Sequence, residues 1–147
     1  MTEQQGGEQP TGWSGFARFT LDELATLQPG LAILMPLVGE RYWKLYYAAR
    51  AENWDMALYQ AQQVRELMET GIITRPEHSK DLQAFLEGYL ELIEEAIEEQ
   101  DWDAFEEAYS DGIIGSKMYH DKNDRSYIRW KLPDYPPPGL DMSPEDS

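Results

Sequence analysis

The residues that could carry out chemistry in this sequence are mainly carboxylates and tyrosines. The chain contains two histidines and no cysteine. The lack of cysteine excludes thiolate metal sites, nucleophilic thiols and covalent haem attachment through a Cys-x-x-Cys-His motif. The sequence also has no glycine-rich phosphate loop, no Gly-x-Ser-x-Gly motif and no His-Glu-x-x-His motif. It therefore predicts no catalytic residues and favours a protein that is not an enzyme.

A long run of acidic residues is the first candidate site. Twelve Asp and Glu residues lie between Asp81 and Asp111, with no Lys or Arg among them. Paired carboxylates can bind metal ions, but di-iron bundles add a Glu-x-x-His motif, and neither His78 nor His120 follows a Glu at that spacing. Most of these acids fall off the predicted apolar helix face, so the pattern indicates a solvated surface and no metal site. The alternative is a docking face for a basic partner.

A histidine and a methionine form the second candidate. Met35 lies near the start of the first long predicted helix and His120 near the end of the last. In an antiparallel bundle these two helix ends are neighbours, so an imidazole and a thioether could together ligate a haem iron. Gly112 and Gly115 would leave room for the macrocycle. The alternative is that His120 interacts with the helix C-terminus and Met35 belongs to the core.

Aromatic residues on the first long helix form the third candidate. Tyr42 and Tyr46 share a helical face with the core residues, whereas Trp43 and Tyr47 point about 100° away. A second apolar surface of this kind predicts a contact with another segment or with a second molecule. The alternative is a small-ligand pocket lined by tyrosine hydroxyls. Its predicted members are Tyr42, Tyr46, Tyr89 and Tyr109.

Four helices must position these residues. Apolar residues spaced three and four apart predict helices that begin near Leu31, Asn53, Ser79 and Asp101. An internal repeat supports this division, because Glu52-Asn53-Trp54-Asp55 corresponds to Gln100-Asp101-Trp102-Asp103. In both copies Asn or Asp can cap the new helix. We expect an all-α fold, an antiparallel four-helix bundle built from two helical hairpins, over residues 20–123.

The two ends of the chain read differently from the bundle. Residues 1–19 are predicted to be a flexible leader, followed by a capping box formed by Thr20 and Glu23. Residues 124–147 are predicted to be an extended, Pro-rich tail, because Pro133 and the Pro136–Pro138 run enforce an extended backbone. This tail is too apolar for simple disorder. We expect it to lie across the bundle or across a partner.

Composition restricts the partners. The 147 residues carry a net charge of −16, which repels phosphate backbones and anionic lipid headgroups. Nucleic acid and membranes are therefore not expected as partners. The residues Met1–Thr11 lack the basic and apolar parts of a secretory signal, so a cytoplasmic location is the expectation.

The hairpin arrangement, Ala108-Tyr109 and the segment Met118-Tyr119-His120-Asp121-Lys122 together resemble the cytochrome c-prime superfamily. The resemblance is to its soluble b-type members in particular and covers roughly residues 31–123. It implies a four-helix bundle and non-covalent haem held by Met35 and His120.

The sequence leaves three functional hypotheses. The leading one is a non-catalytic interaction protein, an accessory subunit or homodimer without a cofactor. It would dock its partner through the aromatic face and the tail, with the contact residues Trp43, Tyr47, Tyr127, Trp130, Leu132 and Tyr135. The second is haem binding through Met35 and His120. The third is a carrier of a small aromatic ligand.

Overall fold

The computed structural model describes residues 9–145. It is mostly helical, with 66% of residues in helices, which confirms the all-α prediction. The short elements at the start are β1 (Thr11–Trp13), β2 (Arg18–Thr20) and α1 (Leu21–Thr26). The longer ones are α2 (Leu31–Arg50), α3 (Trp54–Thr74), α4 (Ser79–Phe85), α5 (Glu91–Glu98) and α6 (Trp102–Lys122). None of the helices formed by the described residues is both long and apolar enough to cross a bilayer.

One continuous helical run joins α4 to α5. A π-helical segment, Leu86–Leu90, connects them, preceded at the start of α4 by a single 3₁₀ turn, Pro76–His78. The segment adds one residue to a helical turn and so rotates the following side chains. Leu86 and Leu90 are both buried by this arrangement.

The described part of the predicted leader contains regular secondary structure. Residues 11–20 form an antiparallel two-stranded hairpin that pairs Thr11 with Thr20. Two features stabilise the turn of this hairpin. Gly15 adopts a φ of 100°, and the Ser14 hydroxyl accepts hydrogen bonds from the amides of Phe16 and Ala17. Residues 1–8 of the predicted leader lie outside the described residues. The predicted capping box of Thr20 and Glu23 is present at the start of α1.

The repeated turns have the same geometry. Glu52 and Gln100 both adopt the left-handed conformation, with φ values of 61° and 53°. In each copy the next amide donates across the turn, from Asn53 to Ala48 at 2.8 Å and from Asp101 to the equivalent alanine at 3.0 Å. This is the Schellman pattern of helix termination. The helix end and the following N-cap are therefore formed by the same short segment in both copies.

The N-caps of the repeat are as predicted. The side chains of Asn53 and Asp101 each accept a hydrogen bond of 3.1 Å from the amide three residues later. Trp54 and Trp102 consequently occupy the first position of α3 and α6. The sequence repeat thus corresponds to a structural repeat.

The core lies between the long helices. Helix α2 packs on α3, α5 packs on α6, and α3 also contacts α4 and α5. A half-buried ion pair between Arg65 of α3 and Glu94 of α5, 2.7 Å long, ties these helices together. The largest fully buried side chains are Tyr109, Phe105, Leu45, Leu86, Leu90, Ile93 and Val64.

Candidate docking surfaces and ligand cleft

The C-terminal tail covers the second aromatic surface of α2. The indole nitrogen of Trp43 donates to the carbonyl of Tyr135 at 2.9 Å, and the hydroxyl of Tyr47 donates to the carbonyl of Pro133 at 2.7 Å. The predicted contact residues of α2 therefore lie against the chain's own tail. The side chain of Tyr135 meets Trp43 edge to face and stays 59% exposed.

The root of the tail packs more deeply. Trp130 lies edge-on against Tyr42, with ring centroids 5.5 Å apart, and its indole fills the space beside Gly39. Leu132 also packs against the core, whereas Tyr127 is 73% exposed. The tail residues that were predicted to meet a partner thus divide into an inner and an outer set.

The far end of the tail is held by the first repeat turn. The side-chain nitrogen of Asn53 donates to the carbonyls of Met142 and Ser143, at 3.4 and 3.1 Å, while its oxygen caps α3. Met142 is buried in the core cluster. An amide is needed at this position because a carboxylate could form the cap but could not donate to the tail.

Two of the four predicted pocket tyrosines pack against each other. The hydroxyl of Tyr42 donates to the main-chain carbonyl of Tyr109, and the hydroxyl of Tyr109 donates to the carbonyl of Tyr42, both at 2.7 Å. The rings stack with centroids 4.0 Å apart. Burial raises the pKa of both hydroxyls. These hydroxyls therefore serve the packing of α2 on α6.

The other two predicted pocket tyrosines are separated. Tyr89 lies against Phe85, with ring centroids 5.3 Å apart, and its ring occupies the space beside Gly115. Tyr46 contacts the ring of Tyr109 at 5.1 Å and lines an open cleft. The structure therefore brings Tyr46, Tyr42 and Tyr109 into one aromatic cluster and places Tyr89 elsewhere.

The predicted haem ligands do not line a described cavity. Met35 is half-buried against the core, and neither of the two described cavities is lined by Met35 or His120. The slot expected beside Gly112 and Gly115 is filled by the side chains of Tyr42 and Tyr89. The rings of Tyr42 and Tyr89 thus occupy the space that was expected for a macrocycle, and haem binding stays a prediction from the sequence.

His120 has an unusual environment nonetheless. Its Nδ1 atom is buried without a hydrogen-bond partner among the described residues. Burial lowers the pKa of the imidazole, and the nearby backbone of Ile128 and the charge of Asp121 partly offset this effect. The histidine therefore lies under the root of the tail, in a position that disfavours its charged form.

The two repeat turns enclose a cleft at one end of the helices. Its volume is about 600 Å³, and it opens to solvent. Aromatic rings form part of its wall and charged side chains part of its rim. The lining residues are Tyr46, Ala49, Arg50, Glu52, Trp54, Gln100, Trp102 and Glu106. The sequence repeat was the signal that could have located this cleft, since both turns contribute equivalent residues.

An exposed apolar arm precedes the long helices. We define the arm as residues 9–28, which comprise β1, β2 and α1. Helix α1 buries none of its residues, and Phe16 is 94% exposed. The exposed large apolar residues of the arm are Trp13, Phe16, Leu21, Leu24 and Leu27, and Ile33 and Leu37 continue this exposure on α2.

Comparisons of the chain with protein-family models, with curated proteins and with solved structures find no match. The resemblance to the cytochrome c-prime superfamily accordingly remains an expectation from the sequence.

Proposed function

We propose that the chain is a non-catalytic interaction protein, an antiparallel four-helix bundle that pairs with a second copy of itself through the arm. The observation that carries this proposal is that the arm is regular in structure but buries almost none of its large apolar side chains. A concentration of exposed large apolar side chains in one segment is typical of protein interfaces.

The distribution of charge along the chain favours the arm as the surface for contact between two copies. A chain with a net charge of −16 repels its own copies. The longest uncharged stretch, residues 24–39, contains the exposed Leu24, Leu27, Ile33 and Leu37. Repulsion between two copies should therefore be weakest at the end of the arm and the start of α2, where several exposed residues are apolar and none is charged.

The tail has a different part in this proposal than the sequence suggested. Its inner side chains support α2 within the same chain. Tyr127 and Tyr135 are exposed and remain accessible to a partner.

Sedimentation velocity over a wide concentration range tests the proposal. We expect the wild-type chain to form dimers, and the double variant Leu24→Asp, Leu27→Asp to remain monomeric, because two carboxylates would be buried in an apolar contact. Leu92→Asp, an exposed leucine of α5, is the matched control and should dimerise normally.

Two results would count against self-association through the arm. A wild-type chain that stays monomeric at every concentration excludes the homodimer. Equal dissociation by the Leu92→Asp control shows that added negative charge, and not the arm, decides association.

A further inference from the structure

The cleft between the two repeat turns combines aromatic rings with carboxylates. Tyr46 and Trp102 meet edge to face with centroids 5.6 Å apart, and Trp102 stacks on Phe105. Trp54 contacts the same phenylalanine from the other turn. The aromatic wall is therefore held in place by buried packing below it, which keeps the cleft from collapsing.

The rim of the cleft carries more negative than positive charge. Glu52, Glu106 and Arg50 all line the cleft, and the hydroxyl of Tyr46 lies 3.4 Å from a carboxylate oxygen of Glu106. Arg50 forms no ion pair among the described residues and also lines the neighbouring cavity under the tail. The cleft thus presents two carboxylates and one shared guanidinium, on a chain with a net charge of −16.

We propose that this cleft binds a small organic ammonium ion. Indole and phenol faces attract a cation through their quadrupoles, and this attraction is strongest for weakly hydrated cations such as alkylammonium ions. Glu106 and Glu52 supply the opposite charge at the rim. An anion would find only Arg50 as its partner and would meet both carboxylates.

The backbone of the turns provides a variant that can test the site. Glu52 and Gln100 both line the cleft and are left-handed, a conformation that glycine adopts at lower cost. Glycine at either position would therefore remove a lining side chain without straining the turn.

Choline is a suitable probe, because its nitrogen is charged and cannot donate a hydrogen bond. We expect saturable binding in the millimolar range, followed by tryptophan fluorescence and by calorimetry at constant ionic strength. The neutral alcohol in which carbon replaces the nitrogen of choline should bind far more weakly. Acetate serves as the anionic probe and should not compete.

Two neighbouring glutamates provide a matched pair of variants. Glu106→Gln should weaken choline binding about three- to fivefold, because it removes one rim charge at short range. Glu107→Gln removes the same charge from the next residue of α6, which is exposed and does not line the cleft. It should leave the affinity unchanged.

A glycine substitution separates binding from folding. Glu52→Gly should raise the melting temperature, because it relieves the left-handed conformation, and should weaken choline binding at the same time. Tighter binding of acetate than of choline, equal binding of the neutral alcohol, or equal loss in both glutamine variants would each overturn the proposal. A monomeric wild-type chain would contradict the proposed function but not this site.

Discussion

The tail and the arm are opposite kinds of chain end. The described part of the tail, residues 124–145, has no helix or strand, yet side chains of α2 and of the first repeat turn donate hydrogen bonds to its carbonyls at several points. The arm has two strands and a capped helix, yet α1 buries no side chain. Regular backbone structure and tertiary burial are therefore independent in this molecule.

The reason for the difference is how each segment satisfies its polar backbone. The arm satisfies its own amides and carbonyls through hairpin and helix bonds and needs no other surface to do so. The tail contains prolines that cannot donate and forms no helix or strand, and side chains of the helices and of the first repeat turn donate to several of its carbonyls. These bonds and the buried Met142 hold the tail against the helices.

The largest expected effect comes from exchanging a tryptophan in each segment. Trp130→Ala should lower the free energy of unfolding by about 2–4 kcal/mol, because it empties the space beside Gly39 and Tyr42. Trp13→Ala, in the exposed arm, should change it by less than about 0.5 kcal/mol in the monomer. Urea unfolding at low protein concentration measures both. Similar losses in the two variants would show that the arm packs on the helices after all.

A smaller effect is expected at the N-cap position, where the first repeat turn has Asn53 and the second has Asp101. Asn53→Asp keeps the cap on α3 but sets a carboxylate against the carbonyls of Met142 and Ser143. We expect a loss of about 1–2 kcal/mol.

The reciprocal exchange is the control. Asp101→Asn keeps the cap of α6, and its side chain has no tail to contact, so a change within about 0.5 kcal/mol is expected. Thermal unfolding compares the pair. An Asn53→Asp variant as stable as the wild type would mean that the tail end is not held by this amide.

The smallest effect is a pH dependence at the root of the tail. The folded-state pKa of His120 is lowered by burial, so the unfolded chain takes up this proton first as the pH falls through about 6.5. Stability should therefore fall below that pH and level off once the folded-state pKa is passed.

This contribution should be less than about 1 kcal/mol, because the imidazole is only partly buried. His120→Gln should remove this part of the pH slope, measured by urea unfolding across mildly acidic pH. An unchanged slope in that variant would assign the pH dependence to other groups.

The sequence predicts the parts of this fold that are encoded locally. The N-caps of Asn53 and Asp101 and the capping box of Thr20 depend on residues three positions apart, and all three are confirmed. The hairpin of the arm was missed, because Ser14-Gly15 is a weak turn signal and the strands have three residues each.

The parts of the site that depend on distant contacts could not be predicted in detail. The glycines of α6 indicated an open slot for a ligand. A glycine can equally make room for an aromatic ring of a neighbouring helix, and the rings of Tyr42 and Tyr89 lie beside Gly112 and Gly115. The sequence did separate Trp43 and Tyr47 from the core face. The sequence could not show that the tail covers the face of Trp43 and Tyr47. Both side chains donate to main-chain carbonyls, and every residue has such a carbonyl, so the residue types of the tail do not reveal the contact.

The reciprocal hydrogen bonds of Tyr42 and Tyr109 fix the position of α2 along the length of α6. Sliding one helix along the other, in either direction, would lengthen both 2.7 Å bonds at once. Burial raises the pKa of both phenols. The two hydrogen bonds should therefore persist at an alkaline pH at which surface ion pairs weaken. Two residues 67 positions apart in the chain thus hold their helices at one relative position. This position also fixes the distance between the two repeat turns.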